Sequence, residues 1–461
     1  MRALAPLPLL LPALALTACS MAPTYVRPEA PVPQQWPQGA AYPAPAPASG
    51  AAAQAGLPWT ELVHEANLAT LITRALEANR DLRATMASVM AARARYRVER
   101  SARLPTLNAG GATTITRNDG DTTENYVAEL GISAFEIDLF GRVRNETRSA
   151  LESWLATSEG ARSARISLVA ETAQAYATLA ADQERLALAR ETVASAERSL
   201  GLTQSLNRAG LASALDVQQA QTIVQQARSD AASTSTQVAQ DRNALELLTG
   251  SPVEDALLPG SLADVGAGIG STPAGLSSAI LLERPDVLQA EHLLKAANAD
   301  IGAARAALFP TISLTAALGM ASSALSSLFD NGAFTASATP SVQYSIFGGG
   351  RGANVDATKA ERDRALAQYE YAIQTAFREV ADALARAGTI DDQQSAQRNL
   401  VAASRKYHDL ADQRYRGGIA SYRDALDAQR TLYAAQQSAI ATDLAAISNR
   451  ITLYRVIGAD F

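Results

Sequence analysis

Two stretches of the chain set a serine three residues ahead of an acid, just after a glycine. They are "NRAGLASALD" (207–216) and "YRGGIASYRD" (415–424). Gly210 in the first and Gly417-Gly418 in the second suit the left-handed position that closes a helix. Ser213 with Asp216, and Ser421 with Asp424, have the capping-box pattern that starts a new helix. The serine oxygen accepts from the third backbone N–H, and the acid reaches back to the first. Asp216 and Asp424 therefore have structural work whatever else they do. Asp427 and Arg430 lie beyond the box and need another reason. Asp424 and Asp427 are three apart, as are Asp427 and Arg430, so neighbours share one helix face.

A second chemically distinctive position is Cys19, the sole cysteine. It follows a basic Arg2 and an apolar run too short to span a bilayer as a stable helix, the form of a signal peptide. Leu16-Thr17-Ala18-Cys19 resembles the bacterial lipobox, in which residues 1–18 are removed and Cys19 carries the lipid (N-palmitoyl and S-diacylglycerol). Several acyl chains exceed the threshold for stable anchoring. Ser20 after the cysteine resembles lipoproteins sorted to the outer membrane.

Other chemistries are not supported. One cysteine excludes a Cys-rich metal site. "HEANL" (64–68) begins like a zinc motif but has Leu68 where the second histidine belongs. His292 and His408 stand alone in helical tracts and read as solvated. "GAGIGS" (266–271) follows no strand, and "FGGGR" (347–351) lacks the Lys-Ser/Thr of a phosphate loop. No paired catalytic carboxylates or nucleophile–histidine arrangement is discernible, so the chain does not read as an enzyme. A net charge of −6 gives no general attraction for nucleic acid.

The elements that position these residues repeat. Arg208, Gly210, Ala212, Ser213 and Asp216 match Arg416, Gly418, Ala420, Ser421 and Asp424 at a constant offset. Asp81, Arg100 and Pro105 match Asp286, Arg305 and Pro310, Phe140-Gly141 matches Phe347-Gly348, and Gly250 matches Gly458. The stable offset implies a duplicated module. Residues 19–60, rich in Pro, Ala and Gln, read as an extended tether. The first copy occupies 61–250, residues 251–273 form a linker, and the second copy occupies 274–461. Each copy reads as helix, strand, strand, long helix, shorter helix. The first has helices over about 62–102, 144–208 and 213–248, with strands within 106–138. The second has helices over about 274–306, 352–416 and 421–457, with strands within 311–346.

A helix of about 65 residues spans on the order of 100 Å, more than a compact globule needs. Leu179, Leu186, Val193 and Leu200 recur every seven residues, beside Ala173, Ala180, Ala187, Ala194 and Gly201. Two seams allow two neighbours, so such helices can close into a ring, although an ordinary two-helix coiled coil shares the first seam. In "PTISLTAALGM", Ile312, Leu314 and Ala316 alternate with Thr311, Ser313 and Thr315, as in a membrane barrel with a wet lumen or a sheet facing solvent. Four strands are too few to close a barrel, whereas three chains would supply twelve.

With the lipobox, "ALEANRDL" (75–82), "FEIDLFGRVR" (135–144), "LLERPDV" (281–287), "ARAALFPTISL" (304–314), "YSIFGGGR" (344–351) and "RYRGGIASYRDALDAQRTLYAAQQ" stand in order along nearly all of the mature chain. On these the sequence resembles the outer membrane factor family, the trimeric efflux channels typified by TolC and OprM, and its lipoprotein branch in particular. The resemblance implies a mainly α fold with a small β part. Three protomers would form a twelve-stranded outer membrane β-barrel continuous with a periplasmic α-helical barrel, in the cell outer membrane of a Gram-negative bacterium. It implies a passive exit duct for small toxic compounds, joined by a periplasmic adaptor to an inner-membrane RND-type pump. It also implies a periplasmic constriction at the hairpins, here Asp427, Arg430, Asp424 and Asp216. Arg430 would tie Asp427 to a neighbouring helix. Tyr415 and Tyr422 beside the turn read as packing residues rather than pore lining. Gly141, Gly348 and Gly349 would mark the bends from barrel to helix. The outer membrane component of type I protein secretion, or a non-pore coiled-coil spacer lipoprotein, are the alternatives.

Overall fold

The computed structural model describes residues 20–42, 58–270 and 277–458. The signal segment 1–18 and Cys19 lie outside these residues. The chain orders its elements as α1 (Trp59–Leu62), α2 (Ala66–Ala78), α3 (Arg80–Ser101), β1 (Leu107–Asn118), β2 (Asp121–Glu136), α4 (Arg142–Arg208) and α5 (Ala214–Thr249). Then follow α6 (Leu262–Ala267), α7 (Pro285–Ala306), β3 (Thr311–Ser322), β4 (Phe334–Gln343), α8 (Arg351–Arg416) and α9 (Tyr422–Ile457). The lengths of corresponding helices agree. α3 and α7 both have 22 residues, and α5 and α9 both have 36.

Two expected helices are shorter than their apolar patterns suggested. The first is interrupted at Asn79, whose backbone is extended. Its side-chain oxygen accepts from the Leu82 N–H at 2.9 Å while its amide donates to the Leu248 carbonyl at 2.9 Å. An asparagine that caps one helix and ties down another offers the backbone an alternative to continuous helix. The helix expected from 274 begins at Pro285, because the residue before a proline avoids the helical region and Arg284 has ψ 136°.

The chain divides into two compact units. One holds residues 20–29, 89–157 and 290–369, including all four strands. These form a single antiparallel sheet in the order β1-β2-β3-β4. β1 and β2 turn at Asp119-Gly120, both with positive φ, the primed two-residue turn that matches strand twist. Between Ile132 and Phe135 the β2–β3 register shifts by a bulge. There the Ala134 N–H donates to Thr315 Oγ1 at 3.1 Å.

The other unit holds the remaining described residues and has a helical core. Leu68, Leu71 and Ile72 of α2, Tyr176 and Leu179 of α4, Leu245 of α5 and Ile451 of α9 are buried together. Residues 251–273, expected to be a plain linker, contribute to this core through Val253, Leu262, Val265 and Ile269. Ile269 also bridges Val63. The apolar spacing of a six-residue helix is too short to register against a Pro/Gly-rich background.

Candidate functional site

The two helix reversals are built alike. At the end of α4 the Gly210 N–H donates to the Asn207 carbonyl (2.9 Å) and the Leu211 N–H to that of Leu206 (2.8 Å). At the end of α8 the Gly418 N–H donates to Tyr415 (2.9 Å) and Ile419 to Arg414 (2.9 Å). This is the paired hydrogen bonding of a Schellman motif, and Gly210 and Gly418 have φ of 74° and 71°. Gly417 does not share that conformation. It donates to Gln413 at 3.0 Å, so Gly418 alone is the counterpart of Gly210.

Both capping boxes are formed. The Asp216 N–H donates to Ser213 Oγ at 3.1 Å, and its carboxylate accepts from the Ser213 N–H at 2.9 Å. The Asp424 box is looser, at 3.4 and 3.3 Å. Asp427 and Arg430 are exposed, and the cation nearest Asp427 is Arg423, at 4.0 Å, rather than Arg430. Spacing of three places two side chains on one face, but Arg423 stands four residues before Asp427 on that same face.

Tyr415 and Tyr422 are buried, with ring centroids 5.4 Å apart, as packing residues should be. The Tyr415 hydroxyl lies 2.9 Å from Thr203 Oγ1. Burial pushes the Tyr422 phenol above its ordinary pKa. Leu211 and Ile419, at the very tips, are 77% and 73% exposed.

In the sheet-bearing unit, Gly141 (φ 80°) separates β2 from α4. The Arg144 N–H there donates to the Asp138 carboxylate at 2.8 Å, and Arg142 pairs with Glu136 and Glu146. Between β4 and α8, Gly348, Gly349 and Gly350 all have positive φ, so the second bend uses three glycines rather than two. The register gives the sheet two unlike faces. Leu130 lies opposite Leu318, which lies opposite Ala336, and Ile132, Ala316 and Ala338 form the next apolar row. Glu129 and Gly319 with Thr335, and Ala317 with Ser337, belong to the other face. β1 and β4 each lack a partner along their outer edge among the described residues.

The same unit contains a site that the sequence reading missed. Residues 20–29, expected to be an extended tether, lie against α7 and the start of α4 through named bonds. Ser20 Oγ donates to Asn145 Oδ1 (3.0 Å), Arg305 donates to the Met21 carbonyl (3.3 Å), and Asn298 to that of Pro23 (2.7 Å). Glu291, with a side chain 3% exposed, is the centre. It accepts from the Tyr25 hydroxyl at 3.0 Å, from Lys295 at 2.9 Å, and from Arg27. Burial alone would raise the Glu291 pKa, but the donors from Arg27, Lys295 and Tyr25 outweigh it and hold the acid down at about 2. An arginine and a tyrosine within an otherwise Pro/Ala-rich stretch were the available signal. Their partner lies more than 260 residues away, beyond any spacing rule. His292, expected to be solvated, instead places Nδ1 2.7 Å from Glu152 and is half-buried. His408 is also half-buried, 3.4 Å from Asp409.

Comparison with known proteins gives one consistent result. The profile of the Outer membrane efflux protein family matches residues 71–251 and 276–459, two segments that track the duplication. The toluene efflux pump outer membrane protein TtgC of Pseudomonas putida is 44% identical over 452 residues, covering 96% of this chain and 93% of the relative. The antibiotic efflux pump outer membrane protein ArpC of Pseudomonas putida shows the same 44% identity over 452 residues and the same coverage. A crystal structure of a membrane protein from Pseudomonas aeruginosa superposes with a TM-score of 0.88 at 40% identity, covering 95% of this chain and all of the other.

Proposed function

The chain belongs to the outer membrane efflux protein family, and from that premise we propose that three copies close one passive duct through the outer membrane. The observation that carries this reading is the sheet. Four strands with one apolar face and two open edges cannot persist in hydrocarbon, where every backbone group needs a partner. Pairing the β1 edge of one copy with the β4 edge of the next satisfies both, and three such joints close the ring. The apolar face then meets lipid and the Thr/Ser/Gly-rich face a wet lumen.

Energy comes from an inner-membrane pump through a periplasmic adaptor. Leu211 and Ile419, exposed at the hairpin ends, offer that adaptor an apolar contact. The cargo is small toxic compounds, because the relatives are named for toluene and antibiotic efflux. Asp427 and Arg430, with Asp424 and Asp216 keeping their capping task, supply charge to a constriction at the hairpins. Cys19 carries the lipid anchor.

The test is recording from the purified chain in planar bilayers, with its mass measured in detergent. A trimer with unitary conductance is expected, and the pair Asp427→Ala with Arg430→Ala should raise that conductance severalfold. A stable, non-conducting monomer would overturn the duct.

A further inference from the structure

Within the helical unit, one buried acid has no salt-bridge partner of its own. Asp241 on α5 is 9% exposed, and its Oδ2 has no hydrogen-bond partner among the described residues. Its Oδ1 accepts from Gln237 Nε2, one turn earlier, at 2.9 Å. The other acid acting on Asp241 is Asp182 of α4, itself 5% exposed. Arg185 Nη1 lies 2.5 Å from Asp182 Oδ1. The charges acting on Asp241 are thus Asp182 and Arg185, both from α4, with uncharged Gln237 from its own helix.

Two buried carboxylates cannot both ionise beside a single guanidinium without large repulsion. One proton resolves the conflict: Asp241 donates through Oδ2, Asp182 accepts, and Arg185 balances the remaining charge. The duplication supplies an internal control. At the matching place on α9 stands Asn449, equally buried at 8%, and its amide donates to the Ala383 carbonyl at 3.1 Å. The second copy uses a permanent N–H donor where the first uses an ionisable one.

We propose that Asp241 and Asp182 share one proton, so that the α4–α5 pairing in the first copy loosens as pH rises while the α8–α9 pairing in the second does not. The direction follows from linkage. Burial and the Asp182 interaction raise the Asp241 pKa in the fold, although the Gln237 amide and Arg185 oppose this. A raised acid leaves stability intact below the unfolded pKa of about 3.9 and removes it as pH climbs through the folded value. Two hairpins of one architecture then differ in their response to pH, and a change in pH acts on alternate members of any ring they form.

Hydrogen exchange on the detergent-solubilised full chain, corrected for intrinsic exchange chemistry, tests this from about pH 3, below the unfolded value, to about pH 8. Opening of 214–249 is expected to rise severalfold across that interval, while 422–457 stays flat. Asp241→Asn keeps a donor but cannot titrate, so it should flatten the first profile, and Asp182→Asn should make it shallower by removing the repulsion while burial remains. A flat wild-type profile over 214–249 would refute the proposal, as would a slope retained in both variants.

Discussion

α3 and α7 occupy the same place in the two copies and have the same length, yet they meet different fates. In α7 the residues Val287, Glu291, Leu294, Asn298, Ala299, Ile301 and Ala304 are buried; in α3 only Leu82 is. The N-terminal strap explains much of this. Glu291, Lys295, Asn298, Gly302 and Arg305 receive it, and the equivalent positions on α3 are Met86, Met90, Arg93, Arg97 and Arg100. A Cβ at Gly302 would meet Ala22 and Asn145 at 2.7 Å, so an arginine in that place cannot seat the strap. On α3, Tyr96 stacks on Trp154 at 5.7 Å, which engages one face, while Met86, Met90 and Val98 stay open at 51, 72 and 67%. The same fold element is covered by its own chain in one half and left open in the other, and under the proposed ring the open face, beside the unpaired edge of β1, is where the next copy would pack.

The largest effect should come from spoiling the unfinished helix. Met90→Asp with Val98→Asp places charge on the face reserved for the next copy and is expected to abolish trimer formation in detergent, measured by light scattering, while far-UV circular dichroism is retained. Trimers of normal yield would break the comparison.

Spoiling the finished helix should be milder. Glu291→Ala leaves Arg27 and Lys295 without their shared carboxylate, at a cost of about 2 kcal/mol once the partly exposed Arg27 is discounted. Chymotrypsin cleavage after Tyr25 should accelerate by a factor of about thirty. Acid should mimic this substitution in the wild-type chain. The Glu291 pKa is depressed in the fold, so the strap is fully held above the unfolded carboxylate value of about 4.3 and is released as pH falls toward about 2. Cleavage by an acid-active protease across that interval reads the release directly.

The smallest effects belong where the copies agree. Ser213→Ala and Ser421→Ala each remove a formed cap and should cost about 1 kcal/mol, equal within error, in chemical denaturation.

Local rules made the hairpins legible. Glycine, serine and aspartate at fixed offsets determine a Schellman turn and a capping box from a few consecutive residues, and both formed at the positions expected. The long helices and strands were equally readable, because period and length declare them. What escaped was whatever depends on distant chain. Asn79 breaks a helix through the carbonyl of Leu248. Val253, Leu262, Val265 and Ile269 join a core that no local pattern describes, and the strap finds Glu291 across the length of the sequence. Within one chain the cation beside Asp427 is Arg423, four residues earlier on the same helix.

The hairpin ends are alike in backbone and unlike in surface. Leu211 has its counterpart in Ile419, but exposed Leu215 has Arg423. A collar of such ends would alternate greasy and cationic teeth, six in outline and three in chemistry. Any ring-shaped partner built from identical subunits must therefore seat them in two inequivalent ways, or present its own subunits in pairs.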